Sequence, residues 1–275
     1  MQSAIVRRVV ILSAFVPFLA DLCLRTGLFD ASTRLSRKAL LRLGGLGLTG
    51  LAWEAWWNLS TASASTESSP VAASQCVLTP EQTEGPYYIA KEKVRSNITE
   101  GKPGVPMRLR LNVVDAATCR PIKDAAVDIW HCDAEGVYSG FIAASTGAGP
   151  GGNGGPTDHR AFLRGIQFTN AQGNTQFRTL YPGWYRGRTV HIHVKVHLGR
   201  QTVGHVVHTG QLYFDDRLTS NVYQRAPYKI RASQRDTFNS TDGIFQSGGR
   251  QSMLSVKPDG HGGYVASITL GVRRV

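Results

Sequence analysis

The chain has 275 residues, 41% of them hydrophobic and 9% aromatic, which suits one medium domain with a buried core plus a leader and leaves no room for a second large domain. Thirty-one Lys and Arg against nineteen Asp and Glu give a net charge of +12; seven cations and four anions fall in residues 1–70, leaving +9 on the remainder. The cations are scattered and no recognition helix accompanies them, which argues against nucleic acid as a partner and for a surface that attracts small or polymeric anions.

Near the N-terminus, Arg7 and Arg8 precede an apolar run over 9–20, and Ser36-Arg37-Lys38-Ala39-Leu40-Leu41 precedes a Gly- and Leu-rich run over 43–57. Neither supplies the roughly eighteen apolar residues, free of Gly and charge, that a spanning helix needs. The second resembles a twin-arginine export signal with Lys38 in place of the second arginine, and the Ser/Ala/Thr-rich stretch 60–74 would hold or follow the cleavage site. Three other readings stay open: a start downstream of Met1, the 9–20 run as the signal, or a retained membrane anchor. The expectation is an export leader and linker over 1–75, a catalytic domain over 76–275, and a periplasmic or extracellular protein.

Cys23 lies in the leader, leaving Cys76, Cys119 and Cys132. In an oxidising compartment Cys119 and Cys132, which flank one strand and turn, would be placed to pair, although all three pairings remain open. No C-x-x-C spacing suggests structural zinc.

Downstream, period-two alternation recurs over 107–114, 125–130, 175–180, 190–196, 206–214 and 264–270, and thirty glycines with twelve prolines favour turns over long helices. The fold class expected is all-β, an antiparallel β-sandwich with long loops. The Gly-rich run 143–156 cannot bury a core and reads as a mobile loop, either a plain linker or an edge of the site behind Tyr138.

Two clusters carry chemistry. In His191-Ile192-His193, positions i and i+2 of a strand share a face, so both imidazoles can converge on one atom while Ile192 enters a core. Imidazole suits several metals. The neighbouring Tyr181 and Tyr185 narrow the choice, because a phenol whose ordinary pKa is about 10 ionises near neutrality only beside a strong Lewis acid such as ferric iron. Taken alone, the same residues also fit an exposed strand face with rim aromatics. The second cluster, Asp128-Ile129-Trp130-His131-Cys132-Asp133-Ala134-Glu135-Gly136, is a strand running into an acidic Gly turn that leaves Tyr138 just beyond it. By alternation Trp130 reads as core. His131, His159, His197, His205, His208 and His261 read as ordinary hydrogen-bonding or solvent-facing histidines.

The order Gly136-Val-Tyr138-Ser139, then Phe162 to Phe168, then Pro182-Gly183-Trp184-Tyr185-Arg186-Gly187-Arg188, then His191-Ile-His193, then Gly210-Gln211-Leu-Tyr-Phe214 resembles the intradiol ring-cleavage dioxygenases, in particular their secreted, single-chain branch. Thr79 to Tyr88 matches the start of that family's domain. The resemblance implies an Fe(3+) held by Tyr138, Tyr185, His191 and His193, with Tyr185 and His193 as an axial pair and Tyr185 swinging off when substrate arrives. It implies that Arg188 stabilises negative charge on the ring carbon, that Gln211 stands behind the ligands near the oxygen-binding side, and that Gly85 and Pro86 line the substrate pocket. The implied reaction takes a catechol-type or lignin-derived aromatic and O2 to a cis,cis-muconate. Gly187 stands where a bulky pocket residue would be expected, and the helical segment that catechol-type enzymes use to dimerise is missing, so a homo-oligomer stays open. Two other readings compete: a non-catalytic secreted β-sandwich binding module, and a zinc or copper enzyme using His191 and His193.

Overall fold

The computed structural model describes residues 76–146 and 155–274; the expected leader, export signal, anchor and linker over 1–75 lie outside the described residues. Eight strands form two four-stranded sheets: β1 (Pro106–Asp115), β2 (Ala126–Trp130), β3 (Arg164–Phe168), β4 (Asn174–Leu180), β5 (His191–His197), β6 (Val206–Tyr213), β7 (Ser255–Pro258) and β8 (Tyr264–Val272). One sheet has the order β4-β1-β8-β7 and the other β3-β2-β5-β6. The all-β sandwich expected from alternation is thus observed, with one difference: β1 and β8 run parallel while every other strand pair is antiparallel.

Alternation in β1 places Leu109, Leu111 and Val113 inward and leaves Arg108 and Arg110 exposed, the pattern of a sheet with one wet face. The inward residues meet Val127 and Ile129 of β2, Ile192, Val194 and Val196 of β5, and Phe177 of β4 in one core. Burying each such side chain stabilises the fold by about 1.5–3 kcal/mol. The second sheet differs because β2 and β5 are buried on both faces. Its outer face is covered by the N-terminal segment 79–95, which bonds the sheet through Gln82 N to Thr209 O (2.9 Å), Arg95 N to Ile166 O (3.0 Å) and Ile166 N to Lys93 O (3.0 Å). That covered face carries Trp130, His191, His193, Lys195 and Gln211.

Two short strands escaped the alternation. β3 has Gly165 at its centre, where a Cβ would stand only 2.7 Å from Ile98, and β7 has four residues ending in Pro258. Within the expected loop 143–156, residues Ile142–Ser145 instead form one helical turn, and Ser145 Oγ accepts a hydrogen bond from Tyr138 N (3.0 Å). The stretch 147–154 lies outside the described residues.

Of the three pairings left open, that of Cys119 with Cys132 does not occur. Cys119 is bonded to Cys76, Cα atoms 5.3 Å apart, and Cys132 is a buried free thiol. The reason is geometric: Cys119 precedes β2 and Cys132 follows it, and five strand residues at about 3.3 Å each separate them beyond the roughly 7 Å a disulfide spans. The bridge instead ties the start of the described chain to the turn after β1. Among the described residues no helix is long and apolar enough to cross a membrane.

Candidate metal centre

Strand pairing sets the floor of the site. His193 of β5 lies opposite Trp130 of β2 on one side and Gln211 of β6 on the other. Trp130 is not in the inter-sheet core, as its alternation suggested; it lies on the outer face, stacked on the His193 ring at 4.8 Å and 4° between planes. The opposite approach to that ring is closed by Gly85, where an added Cβ would stand 3.0 Å from His193 Cε1. A φ of +74° also favours glycine there.

Tyr138 arrives from the turn after β2. Asp133 Oδ1 accepts from Glu135 N (2.9 Å) and Val137 N (3.0 Å), and Gly136 adopts φ +85°, so the chain reverses tightly and delivers Tyr138 beside β5. Arg164, 1% exposed, anchors the next residue: its Nε donates to Ser139 Oγ (3.0 Å) and Nη2 to Ser139 O (2.8 Å). Tyr185 comes from the loop between β4 and β5, whose Trp184 carbonyl is held by Arg231 Nη1 (2.6 Å).

The four residues expected as ligands meet. Tyr138 and Tyr185 rings lie 5.6 Å apart, Tyr138 and His193 6.2 Å, Tyr185 and His191 5.6 Å, and His191 and His193 4.7 Å. His191 Nδ1 donates to Thr189 O (2.6 Å), which leaves the Nε2 lone pair facing inward. That Nε2 stands 3.1 Å from the Tyr185 hydroxyl and 3.1 Å from His193 Nε2. Two ring nitrogens facing each other at such a distance suit one cation between them, since metal–nitrogen bonds of about 2.1 Å at roughly a right angle span about 3 Å. The Tyr138 hydroxyl is buried without a hydrogen-bond partner, a second sign that an atom belongs at this point. Among the described residues no group of three or more His, Cys, Asp and Glu converges in this way, so the donor set is mixed imidazole and phenol.

Burial sets the protonation of the four. It pushes His191 down to about 3, with Arg188 adding to the effect, and His193 well below the ordinary imidazole range, so both are neutral donors. Burial also pushes Tyr138 and Tyr185 above the ordinary phenol range. Neither phenol ionises near neutrality unless a cation offsets its desolvation, which is the demand a hard, highly charged ion meets.

Arg188 sits beside Tyr185 with Nη2 donating to Gln211 Oε1 (2.5 Å) and Nε to Asp242 Oδ2 (2.9 Å). Gln211 is fully buried; its Nε2 donates to Thr83 O (3.0 Å), so it both satisfies a backbone group and holds the arginine. Pro86, expected in the pocket, lies at a turn with its side chain exposed, and the adjacent tyrosines are partly buried. Tyr87 packs on Tyr138 at 4.6 Å and Tyr88 on Trp130 at 4.8 Å. Gly187 is exposed, with no heavy atom near the position of a Cβ, so the rim is open there. Of the other histidines, His131 is buried between Cys132 O (2.8 Å) and Thr179 Oγ1 (2.7 Å), His197 meets Gly204 O (2.6 Å), His208 is buried, and His159, His205 and His261 are exposed. Sequence reasoning missed Tyr87, Tyr88, Trp130 and Asp242 as parts of the site; the signal available was the aromatic pair that follows Gly85-Pro86.

A covered sheet face bearing two neutral imidazoles, with the buried Tyr138 and half-buried Tyr185 phenols and a fixed guanidinium beside it, is a donor set that could hold one metal ion. Comparison with known proteins places the chain in a family. A family model, Dioxygenase_C, described as a dioxygenase, matches residues 83–222. An intradiol ring-cleavage dioxygenase from Tetranychus urticae is 38% identical with a TM-score of 0.65, covering 72% of this chain and 95% of that one. The dioxygenase domain of a dioxygenase carbohydrate-binding protein fusion from Streptomyces sp. SirexAA-E is 29% identical with a TM-score of 0.51, covering 72% and 100%. Catechol 1,2-dioxygenase 1 of Acinetobacter lwoffii is 31% identical over 112 residues, 39% of this chain, and the match spans about a third (32%) of that curated relative. The chain belongs to the intradiol ring-cleavage dioxygenase family.

Proposed function

We propose that the protein uses one ferric ion, held by Tyr138, Tyr185, His191 and His193, to open a catechol-type ring between its two hydroxylated carbons with O2, giving a cis,cis-muconate-type product. The observation that carries this reading is the convergence of His191 Nε2, His193 Nε2 and the Tyr185 hydroxyl at 3.1 Å spacings beside the unpartnered Tyr138 hydroxyl. When bound there, Fe(III) supplies Lewis acidity and a template for the catechol oxygens.

The protein's own contributions follow from burial and reach. Tyr138, 1% exposed and packed against Tyr87 and Phe141, would be the fixed phenolate donor. Tyr185 is half-buried on a loop, so its oxygen would be the one able to take a proton from a bound catechol. Thr189 O fixes the His191 tautomer so that its Nε2 holds no proton and can donate its lone pair. Arg188 places a charge that cannot be lost beside the site, where it stabilises negative charge building on the ring without reorganisation. Trp130, Gly85 and Tyr87 exclude water from the inner side.

The charge of +9 outside residues 1–70 supports a carboxylated or lignin-derived catechol as substrate, and the Cys76–Cys119 bridge supports an exported protein working in an oxidising compartment. The test is oxygen consumption by iron-loaded protein with a panel of catechols. One O2 consumed per catechol with a ring-opened diacid and no hydrogen peroxide is the expected result. Peroxide release with quinone formation, or turnover retained on zinc or copper, would refute the reading.

A further inference from the structure

The Asp242 carboxylate, 1% exposed, accepts from Arg188 Nε (2.9 Å) and Thr189 N (2.8 Å) through Oδ2, and from Ile244 N (2.8 Å) and Phe245 N (3.1 Å) through Oδ1. Four donors on two oxygens leave it no freedom to rotate. The order passes onward, because the Thr189 carbonyl is the acceptor that fixes His191 Nδ1 at 2.6 Å. Two more residues of the same segment grip the same loop: Asp236 Oδ1 accepts from Gly187 N (3.2 Å), and Asn239 Oδ1 accepts from Thr189 Oγ1 (2.7 Å). All three lie beyond residue 222, where the family match ends.

An arginine side chain carries about 2 kcal/mol of rotamer freedom, and the strongest attraction for a loose guanidinium in the loaded site would be the Tyr185 phenolate. Collapse onto that oxygen would neutralise the very group that must receive a substrate proton. Holding Nε on Asp242 and Nη2 on Gln211 prevents this and leaves Nη1 for the substrate ring. We propose that Asp242 is a positioning residue for ring cleavage: it aims Arg188, and the segment 236–242 is thereby a working part of the active site. The proposal rests on the ring-cleavage reading above.

Asp242→Asn keeps the size and one helix-capping acceptor but sets an amide N–H or a weaker oxygen against two donors. In iron-loaded protein, catechol affinity measured anaerobically from the shift of the visible band is expected to change by less than about twofold, while kcat/KM for O2 falls roughly 10- to 100-fold. In an Arg188→Gln background the same change is expected to cost less than about twofold more, since both act through one group. A readout free of iron is the arginine Nε–H region of a ¹H–¹⁵N spectrum. One slowly exchanging signal, absent from Arg188→Gln, should become fast-exchanging in Asp242→Asn. Unchanged oxygen kinetics in Asp242→Asn, or an equal loss with and without Arg188, would overturn the proposal. A protected Arg188 signal in a wild-type protein that turns over no catechol would instead overturn the ring-cleavage reading, and with it any catalytic purpose for the clamp.

Discussion

At the scale of single residues, Gly85 shows how backbone conformation and site geometry are linked. Its positive φ and the nearness of His193 Cε1 leave no space for a methyl group. Gly85→Ala is therefore expected to cost about 1 kcal/mol or more in stability and to displace His193. Iron affinity, measured against a competing chelator, should fall; affinity equal to wild type would show that the segment yields without disturbing the ligand. That Tyr138, Tyr185, His191 and His193 would come together, with Arg188, Gln211 and Gly85 beside them, was legible in the sequence because these residues sit in short ordered motifs. Trp130 was not, because alternation marks only that a strand is buried on both faces and not which face holds the site. Asp242 was illegible for a different reason: its partners, Arg188 and Thr189, lie 54 and 53 positions away, and no local pattern links them.

At the scale of elements, six strands could be read from period-two patterns because one face of each must enter the core. The central glycine of β3 and the brevity of β7 erase that signal, and the parallel pairing of β1 with β8 is a matter of topology that alternation does not encode. The disulfide tests the element that covers the site. Closing 43 residues of chain, the Cys76–Cys119 bridge should stabilise by about 4 kcal/mol at most on the chain-entropy account. Cys76→Ser/Cys119→Ser should lower the urea midpoint accordingly, whereas Cys132→Ser should leave the bridge intact. Burial pushes the Cys132 thiol well above the ordinary range, so in the folded protein it should resist thiol reagents that label it after denaturation. Rapid native labelling at Cys132 would contradict the packing described around Trp130 and Tyr138.

At the scale of the whole molecule, buried neutral histidines make stability depend on pH. Burial depresses His131 and His208 to about 4, and His197 is lowered as well. The unfolded chain takes up these protons below about 6.5, the folded chain only near 4. The stability they confer is thus complete above about pH 6.5 and is lost as the pH falls through that window. Urea unfolding of iron-free protein between pH 7 and 4 should show this loss, and His208→Gln should remove about one proton from its slope. An unchanged slope would mean that His208 is already solvated in the folded state.

A ferric site with two tyrosinates would declare itself in the visible absorption spectrum of the iron-loaded protein, because tyrosinate-to-iron charge transfer colours a protein as imidazole ligands do not. A broad visible band is expected that weakens in Tyr185→Phe, weakens in Tyr138→Phe, disappears in the double variant and shifts when a catechol is added anaerobically. Stoichiometric iron bound to a colourless protein, or a band indifferent to both tyrosines, would contradict such a site.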